Sequence, residues 1–368
     1  MSLKTLERSC KRMLRYAVNA GLVLLGSVLF NTSFLQVLAQ SDPSVPLAVT
    51  EAAEAEKAFQ QWLQALIAEA REAGIREDII EQALVPVTPI PQVVASDRSQ
   101  AEFVETLDQY LEKRVTAWRI NTGRQRLREN RELLERVSAA YGVQARFIVA
   151  FWGVETNFGS FTGGTDVIRA LVTLAYDPRR SAYFRRELMS ALQILNEGHI
   201  EHRDMKGSWA GAMGQSQFMP SSFMEYAVDF DGDGKRDIWN SKADVFASIA
   251  NYLKSNGWRG DQTWGREITL PANYNPEQWQ QGETDYSCSV LRRHTVRQTL
   301  PQWQSAGVRN RDGSALPAVD FMASIILPDG EGGRAFVTYD NFRSILKYNC
   351  ANNYALSVAY LADSFIGH

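Results

Sequence analysis

The chain has 368 residues, of which 22% are charged, and a formal net charge of −3. This length exceeds that of one typical domain, so we expect two or three subdomains built around a sizeable core. Lys and Arg are not in excess over Asp and Glu, which argues against a protein that binds nucleic acid through its phosphates. We therefore expect no nucleic-acid partner.

The N-terminal segment has the features of a secretory signal. Basic residues precede an apolar stretch, 17–39, which ends in the small residue Ala39 and is followed by a polar segment. This order predicts a signal peptide over residues 1–39 and a linker over residues 40–50. An uncleaved membrane anchor is the alternative, because the apolar stretch is long enough to span a bilayer. Both interpretations place the rest of the chain outside the cytoplasm.

Two cysteines follow the predicted signal peptide, Cys288 and Cys350, whereas Cys10 lies within it. Disulfides persist outside the cytoplasm, so a bridge between the two is one expectation. Sequence spacing says nothing about their distance in space. Two free thiols are therefore an equally open alternative.

Hydrophobic periodicity divides the remaining chain into four segments. Apolar residues at three- and four-residue steps predict helices over 51–84 and one long amphipathic helix over about 99–138. Helical patterns continue to about 258 with Gly-rich turns between them, and short alternating runs then predict strands. The predicted fold class is α+β and mainly α. Its segments are a helical domain (51–140), a core (141–263), a small β-containing insertion (264–335) and a C-terminal helical segment that returns to the core (336–368).

The acidic segment "DFDGDGKRDIWNSKAD", residues 229–244, predicts a calcium site. Its aspartates alternate and Gly234 stands at the sharp turn, as in the first half of an EF-hand loop. The usual glutamate at the twelfth place is replaced by Asn240, so a carboxylate from the following helix would have to close a longer loop. We expect a structural Ca²⁺, because no ligand is left over for a substrate. The predicted ligands are Asp229, Asp231, Asp233, the backbone carbonyl of Lys235, and Asp244.

Glu155 is a candidate catalytic acid. It follows the segment Phe147–Val154, in which every residue is apolar or glycine. A carboxyl group in such surroundings tends to keep its proton, which it could donate to a leaving glycosidic oxygen. The alternative is a helix end that points into water. Most glycosidases need a second carboxylate, for which Asp166 is the nearest candidate along the chain, but one acid suffices when the substrate's own acetamido group attacks.

Four further segments complete a pattern that resembles the membrane-bound lytic murein transglycosylase B family. These segments occur in the order seen in that family, together with the acidic loop, and the likeness extends over roughly residues 50–368. The resemblance implies a lysozyme-like core beside an α-helical domain and a small β domain. The segments are "FWGVETNFG" (151–159), "PRRSAYF" (178–184), the highly specific "GSWAGAMGQSQFMPSSF" (207–223) and "YNCANNYALSV" (348–358).

The resemblance also implies a reaction. Glu155 would protonate the oxygen between N-acetylmuramic acid and N-acetylglucosamine in peptidoglycan, and the acetamido carbonyl would attack the anomeric carbon. The same carboxylate would then take a proton from the sugar's 6-hydroxyl, which yields a 1,6-anhydro product without consuming water. One carboxylate would thus act first as an acid and then as a base.

Residues that would bind the sugar follow from the same resemblance. Four of them would form hydrogen bonds around the reacting sugar, and five others would contact sugar faces or the acidic peptide stem. For each of these residues, packing between helices or a solvated surface is the alternative. The first group is Ser208, Gln217, Tyr348 and Asn349, and the second is Arg179, Arg180, Tyr110, Tyr252 and Tyr354.

The implied partners are peptidoglycan glycan strands, with other cell-wall enzymes as candidate partners, and we expect a monomer. No cysteine stands directly after the apolar stretch, so we expect no lipid attachment like that of anchored family members and expect a periplasmic form. Two rival functions remain. One is a hydrolytic muramidase, which would need a second carboxylate to activate water, and the other is a non-catalytic peptidoglycan-binding scaffold stabilised by Ca²⁺.

Overall fold

The structure, a computed structural model, describes residues 44–99, 105–275, 279 and 288–366. The chain divides into two units, residues 1–54 and 55–368. The predicted signal peptide lies outside the described residues. The first helix, α1 (Ser44–Glu72), begins inside the predicted linker, so residues 44–50 are helical and that part of the linker prediction is wrong.

The N-terminal helices of the second unit bury one apolar face. The second half of α1 places Phe59, Leu63 and Leu66 in the core at helical spacing. The helix ends before Gly74, whose φ of +82° few other residues adopt without strain. Two short helices follow, α2 (Glu77–Ala83) and α3 (Pro91–Ser99).

The single long helix predicted over about 99–138 is wrong, because three helices occupy most of this stretch. They are α4 (Leu107–Arg114), α5 (Ala117–Glu129) and α6 (Arg131–Tyr141). Thr106 and Thr116 cap α4 and α5, each accepting a hydrogen bond from the backbone N–H three residues further on. Side chains of this type satisfy backbone groups at a helix start, so they favour breaks that an apolar repeat does not reveal.

The central helix is α7 (Ala145–Thr156), and it is buried along nearly its whole length. It ends because the next three residues, 157–159, all have positive φ angles. At Gly159 a Cβ atom would lie 2.2 Å from the side-chain oxygen of Gln215. The turn after α7 therefore requires a glycine at position 159.

Among the described residues no single helix has the length and apolar character needed to cross a membrane. The helices α6 and α7 meet the criterion as a pair, with a bend of 109° between them.

Helices and one small two-stranded ribbon surround α7. The two-stranded ribbon is antiparallel and pairs β1 (Thr165–Asp166) with β2 (Lys206–Gly207). The helices are α8 (Val167–Tyr176), α9 (Ser181–Asn196), α10 (Pro220–Tyr226) and α11 (Lys242–Ser255).

The predicted β-containing insertion forms an antiparallel five-stranded sheet with the order β4-β6-β7-β3-β5. Its apolar side chains make a second core, in which Leu300, Trp303 and Val337 are fully buried. The last strand crosses the predicted boundary at residue 335, so the strand prediction is confirmed while its limit is too early. The strands are β3 (Gly265–Thr269), β4 (Gln298–Thr299), β5 (Arg309–Asn310), β6 (Met322–Ile326) and β7 (Ala335–Thr338), with the helix α12 (Leu300–Ser305) between them.

The chain returns to the core through α13 (Asp340–Tyr348) and α14 (Asn352–Phe365), and α14 packs against α7. A disulfide joins Cys288, ten residues before β4, to Cys350, between these two helices, with Cα atoms 5.4 Å apart. The two cysteines are therefore bridged, and the alternative of two free thiols is wrong. The bridge ties the insertion to the start of α14.

Candidate active site

Glu155 lies in the last turn of α7 among buried apolar residues, and its own side chain is partly exposed. Burial of the carboxyl group raises its pKa to about 7, and a hydrogen bond from Tyr354 and the charge of Arg114 offset this only in part. Removal from water disfavours the ionised form, as expected for a carboxyl in such surroundings. Near neutral pH the group is therefore divided between its acid and base forms.

Tyr354 is the direct partner of Glu155. It lies in the first turn of α14, and its hydroxyl donates a hydrogen bond to Oε1 of Glu155. Burial and the neighbouring carboxyl raise the pKa of Tyr354 well above its usual value, so the hydroxyl stays protonated as a donor. The resemblance implied a sugar contact for this residue, whereas the structure shows it holding the candidate acid.

Removing this hydroxyl is expected to shift the pH dependence of any reaction that Glu155 catalyses. The hydrogen bond lowers the pKa of Glu155, so Tyr354→Phe should raise that pKa. Activity that needs a protonated Glu155 falls as pH rises through its pKa, so the falling limb of kcat/KM should move to higher pH. The measurement is a kcat/KM profile from pH 5 to 9. Tyr252→Phe is the matched control, since its hydroxyl binds elsewhere; an unmoved limb in Tyr354→Phe would contradict the assignment.

Tyr252 and Tyr348 form an aromatic layer behind the acid. Their rings lie 4.7 Å apart, and the Tyr348 ring also lies 4.7 Å from that of Phe151 on α7. Both hydroxyls donate to backbone carbonyls, that of Tyr252 to Lys347 at 2.7 Å and that of Tyr348 to Ser216 at 2.5 Å. These tyrosines therefore pack between elements, as the alternative interpretation expected. Asn349, next to Tyr348, is exposed.

Helix α4 contributes Tyr110 and Arg114, the cation whose charge lowers the pKa of Glu155. The guanidinium carbon of Arg114 lies 5.4 Å from the centre of the Tyr110 ring. The insertion holds the start of α4, because the carboxylate of Asp329 accepts the Leu107 N–H at 2.9 Å. A carboxylate is favourable at a helix N-terminus. The β-containing insertion thus orients a helix that faces the acid.

The loop "GAMGQSQF", residues 211–218, is folded by hydrogen bonds to its own backbone and to the segment after α7. The hydroxyl of Ser208 accepts the Ala212 N–H at 3.0 Å. Gln217 has a φ of +50°, and its amide donates to the carbonyls of Thr162 and Gly214, both at 3.0 Å. Ser208 and Gln217, two predicted cleft residues, therefore stabilise the fold of the loop 211–218.

Gln215 is a structural residue that the sequence interpretation missed. Its side-chain oxygen accepts the Trp152 indole N–H at 2.8 Å, and its amide donates to the Trp239 carbonyl at 2.7 Å. Its own carbonyl accepts the Thr156 hydroxyl at 3.0 Å. One residue thus joins α7 to the Gly-rich loop and the acidic loop. A polar residue next to Gly214 was the available signal, but its partners are distant in sequence.

Arg179 and Arg180 were predicted to contact the substrate, but the structure pairs both with an acidic residue of another helix. Both form ion pairs with Asp97 of α3, which is buried, and the Arg179 pair is 3.1 Å long. A buried carboxylate needs such partners. The arginines thus fasten the start of α9 to α3.

Asp166, the nearest candidate for a second carboxylate, is occupied elsewhere. One oxygen accepts the Arg169 N–H at 3.0 Å and caps α8, and the other accepts the Lys206 ammonium at 3.0 Å. Burial alone would raise the pKa of Asp166, but hydrogen bonds from His202, Arg169 and Lys206 outweigh it and hold the pKa well below its usual range. Asp166 is therefore a permanent anion in a structural ion pair.

The acidic loop brings three of the predicted metal ligands together. Oxygens of Asp229, Asp231 and Asp244 all lie within 4.8 Å of one another, and Asp244 is fully buried. The arrangement fits a hard cation, because converging carboxylates repel each other without one. Asp233 is not in this group of three; its carboxylate instead accepts the Lys235 N–H at 2.8 Å.

The sequence matches the transglycosylase SLT domain over residues 58–363. With the fold and the site, this match shows that the chain belongs to the transglycosylase SLT family of enzymes, as the sequence motifs predicted.

Particular relatives refine this placement. The chain is 34% identical over 260 residues to membrane-bound lytic murein transglycosylase B of Escherichia coli K12, covering 69% of this chain and 66% of that protein, slightly less than two thirds of it. It is 44% identical to SltB3 from Pseudomonas aeruginosa, solved with NAG-anhNAM-pentapeptide, with a TM-score of 0.78 over 84% of this chain and 80% of that one. Slt35 of E. coli, solved with calcium, is 28% identical with a TM-score of 0.69 over 83% and 92%. The predicted mainly α, lysozyme-like fold is confirmed.

Proposed function

We propose that this enzyme is a lytic transglycosylase that cleaves the β-1,4 bond between N-acetylmuramic acid and N-acetylglucosamine in peptidoglycan. The observation that carries the proposal is Glu155, whose pKa of about 7 suits a group that gives up and regains one proton. The relatives support the substrate class, since SltB3 was solved with a fragment containing anhydromuramic acid.

The mechanism uses this one carboxyl group twice. Protonated Glu155 donates to the glycosidic oxygen while the bond to the anomeric carbon breaks, and the carbonyl oxygen of the acetamido group bonds to that carbon. The carboxylate then removes the proton of the 6-hydroxyl, whose oxygen displaces the acetamido oxygen. The product is a 1,6-anhydro sugar, and Glu155 is protonated again.

The surroundings of Glu155 favour one carboxylate over two. The charged group that shifts its pKa among the described residues is the cation Arg114, not another acid. Asp166 is held as an anion by Lys206. A hydrolytic mechanism would need a free carboxylate to activate water, so the single-acid reaction has the better support.

Product analysis tests the proposal. Purified protein should release from peptidoglycan muropeptides that are lighter by one water than reducing muropeptides, as measured by mass spectrometry. Reducing ends would instead show a hydrolytic muramidase. Binding without cleavage, with Ca²⁺ supplied, would show the non-catalytic scaffold.

We also propose that the acidic loop binds a structural Ca²⁺ through Asp229, Asp231 and Asp244. Their convergence supports it, as does the calcium in the structure of Slt35. Among the described residues Lys235 and Asp233 form the adjoining turn, and the wider ligand set predicted from the sequence remains a prediction.

Calcium is expected to stabilise the protein. An ion that binds only the folded state adds about 2.7 kcal/mol to the free energy of unfolding at a concentration 100 times its Kd. The Tm should therefore rise with Ca²⁺ and fall with chelator, and Asp231→Asn should remove most of this response. Asp261→Asn, an exposed acid outside the loop, is the control. An equal response in Asp231→Asn and the wild type would refute the site.

The protein is proposed to act in the periplasm. Its disulfide supports a compartment outside the cytoplasm, where such bridges persist. The proposed substrate lies in the same compartment, and the predicted signal peptide would deliver the chain there.

A further inference from the structure

A cavity of about 440 Å³ lies beside the proposed acid. Tyr110 and Tyr354 form one wall, and Tyr354 is the residue that donates to Glu155. The β-containing insertion contributes Arg293 and Asp329 to the lining, and the start of α14 contributes Asn352. The cavity is therefore lined by the residue that holds the proposed acid and is built partly by the insertion.

The acidic groups of this cavity already have partners of their own. Glu105 forms an ion pair with Lys113 at 2.5 Å. The carboxylate of Asp329 accepts the Leu107 N–H through both oxygens, at 2.9 and 3.2 Å. Each negative charge therefore already stabilises α4 or the segment before it.

Arg293 is the remaining charge in the wall. Its side chain is exposed, and within the described part of the chain it forms no hydrogen bond or ion pair. Its planar guanidinium group presents paired N–H donors that match a carboxylate. The cavity therefore offers a cation and two aromatic hydroxyl-bearing side chains to a ligand.

We propose that this cavity binds the peptide stem of the muramic acid next to the cleaved bond, with Arg293 pairing a stem carboxylate. The proposal rests on the proposed function. A neutral sugar ring gives an arginine no opposite charge to bind, and the lactyl carboxyl of muramic acid is consumed in its amide bond to the peptide. The free carboxylates of a peptide-bearing strand are those of the stem, which an arginine in this cavity would select.

The test compares two substrates that differ only in charge. One is a set of uncross-linked peptide-bearing strands, and the other is the same strands after their free carboxylates have been converted to methylamides. Arg293→Gln should lower kcat/KM about 5-fold on the charged strands, the effect of one solvent-exposed ion pair, and should leave the methylamide strands unaffected. Arg293→Lys should fall between the two, and the charged-strand effect should shrink at high salt.

Arg203→Gln is the matched control, because this arginine is exposed and pairs only with the adjacent Asp204 among the described residues. An equal loss on both substrates, or no loss on the charged one, would overturn the stem assignment while leaving the transglycosylase activity standing. Failure of the wild-type protein to form anhydro products from either substrate would instead overturn the proposed function and the stem site together.

Discussion

Glu155→Gln is expected to fold like the wild type and to lose turnover by about 100- to 10,000-fold. A positioned general acid or base contributes a factor of this size, and this carboxyl is proposed to act in both steps. Glutamine keeps the shape of the side chain and can accept the Tyr354 hydrogen bond, but it has no titratable proton. Release of anhydro muropeptides, followed by mass spectrometry, measures the loss.

A matched control separates this effect from the loss of any surface carboxylate. Glu132, in the first turn of α6, is exposed, so Glu132→Gln should keep wild-type activity. Circular dichroism and Tm establish that both variants fold. Turnover by Glu155→Gln within a few-fold of the wild type would show that the proton comes from another group.

Removal of the disulfide is expected to have the largest effect on stability. The bridge closes a loop with a sequence separation of 62. By the chain-entropy account, such a cross-link contributes about 4 kcal/mol by restricting the unfolded chain. The variant with Cys288→Ser and Cys350→Ser together should therefore unfold at lower temperature or denaturant concentration than the oxidised wild type.

Loss of the disulfide should also affect the active site. Cys350 lies two residues before α14, whose first turn carries Tyr354, so a looser attachment should lower activity as well as stability. The matched comparison is the wild type with and without reductant: reductant should destabilise the wild type and leave the double variant unchanged. Equal stability of oxidised and reduced wild type would show that the bridge contributes nothing.

Local patterns in the sequence were sufficient to predict the candidate acid, the cation site and the family. The apolar run before Glu155 predicted a carboxyl with a raised pKa, because eight apolar or glycine neighbours on one helix exclude water from its end. Alternating aspartates predicted where a cation would be held, since a turn of consecutive residues brings its own ligands together. Specific motifs indicated the family, which the match over residues 58–363 confirms.

Features that depend on distant residues were decided by the tertiary structure. Glu155 and Tyr354 are separated by 199 residues, and Arg179 and Asp97 by 82, so no local pattern could reveal either pair. Three helices replaced the single predicted one, because threonine caps compete with an apolar repeat that continues across them.

The sequence by itself thus determined the family, the mainly α fold class and the candidate acid. The family followed from the motifs that the chain shares with known members. Local spacing was sufficient for the fold class and the acid, because it specifies which helix faces are buried. Only the tertiary structure decided that Tyr354 holds the acid, that Asp166 is an ion-pair partner of Lys206, and that the two cysteines are joined. Each of these depends on which distant segments meet when the helices pack around α7.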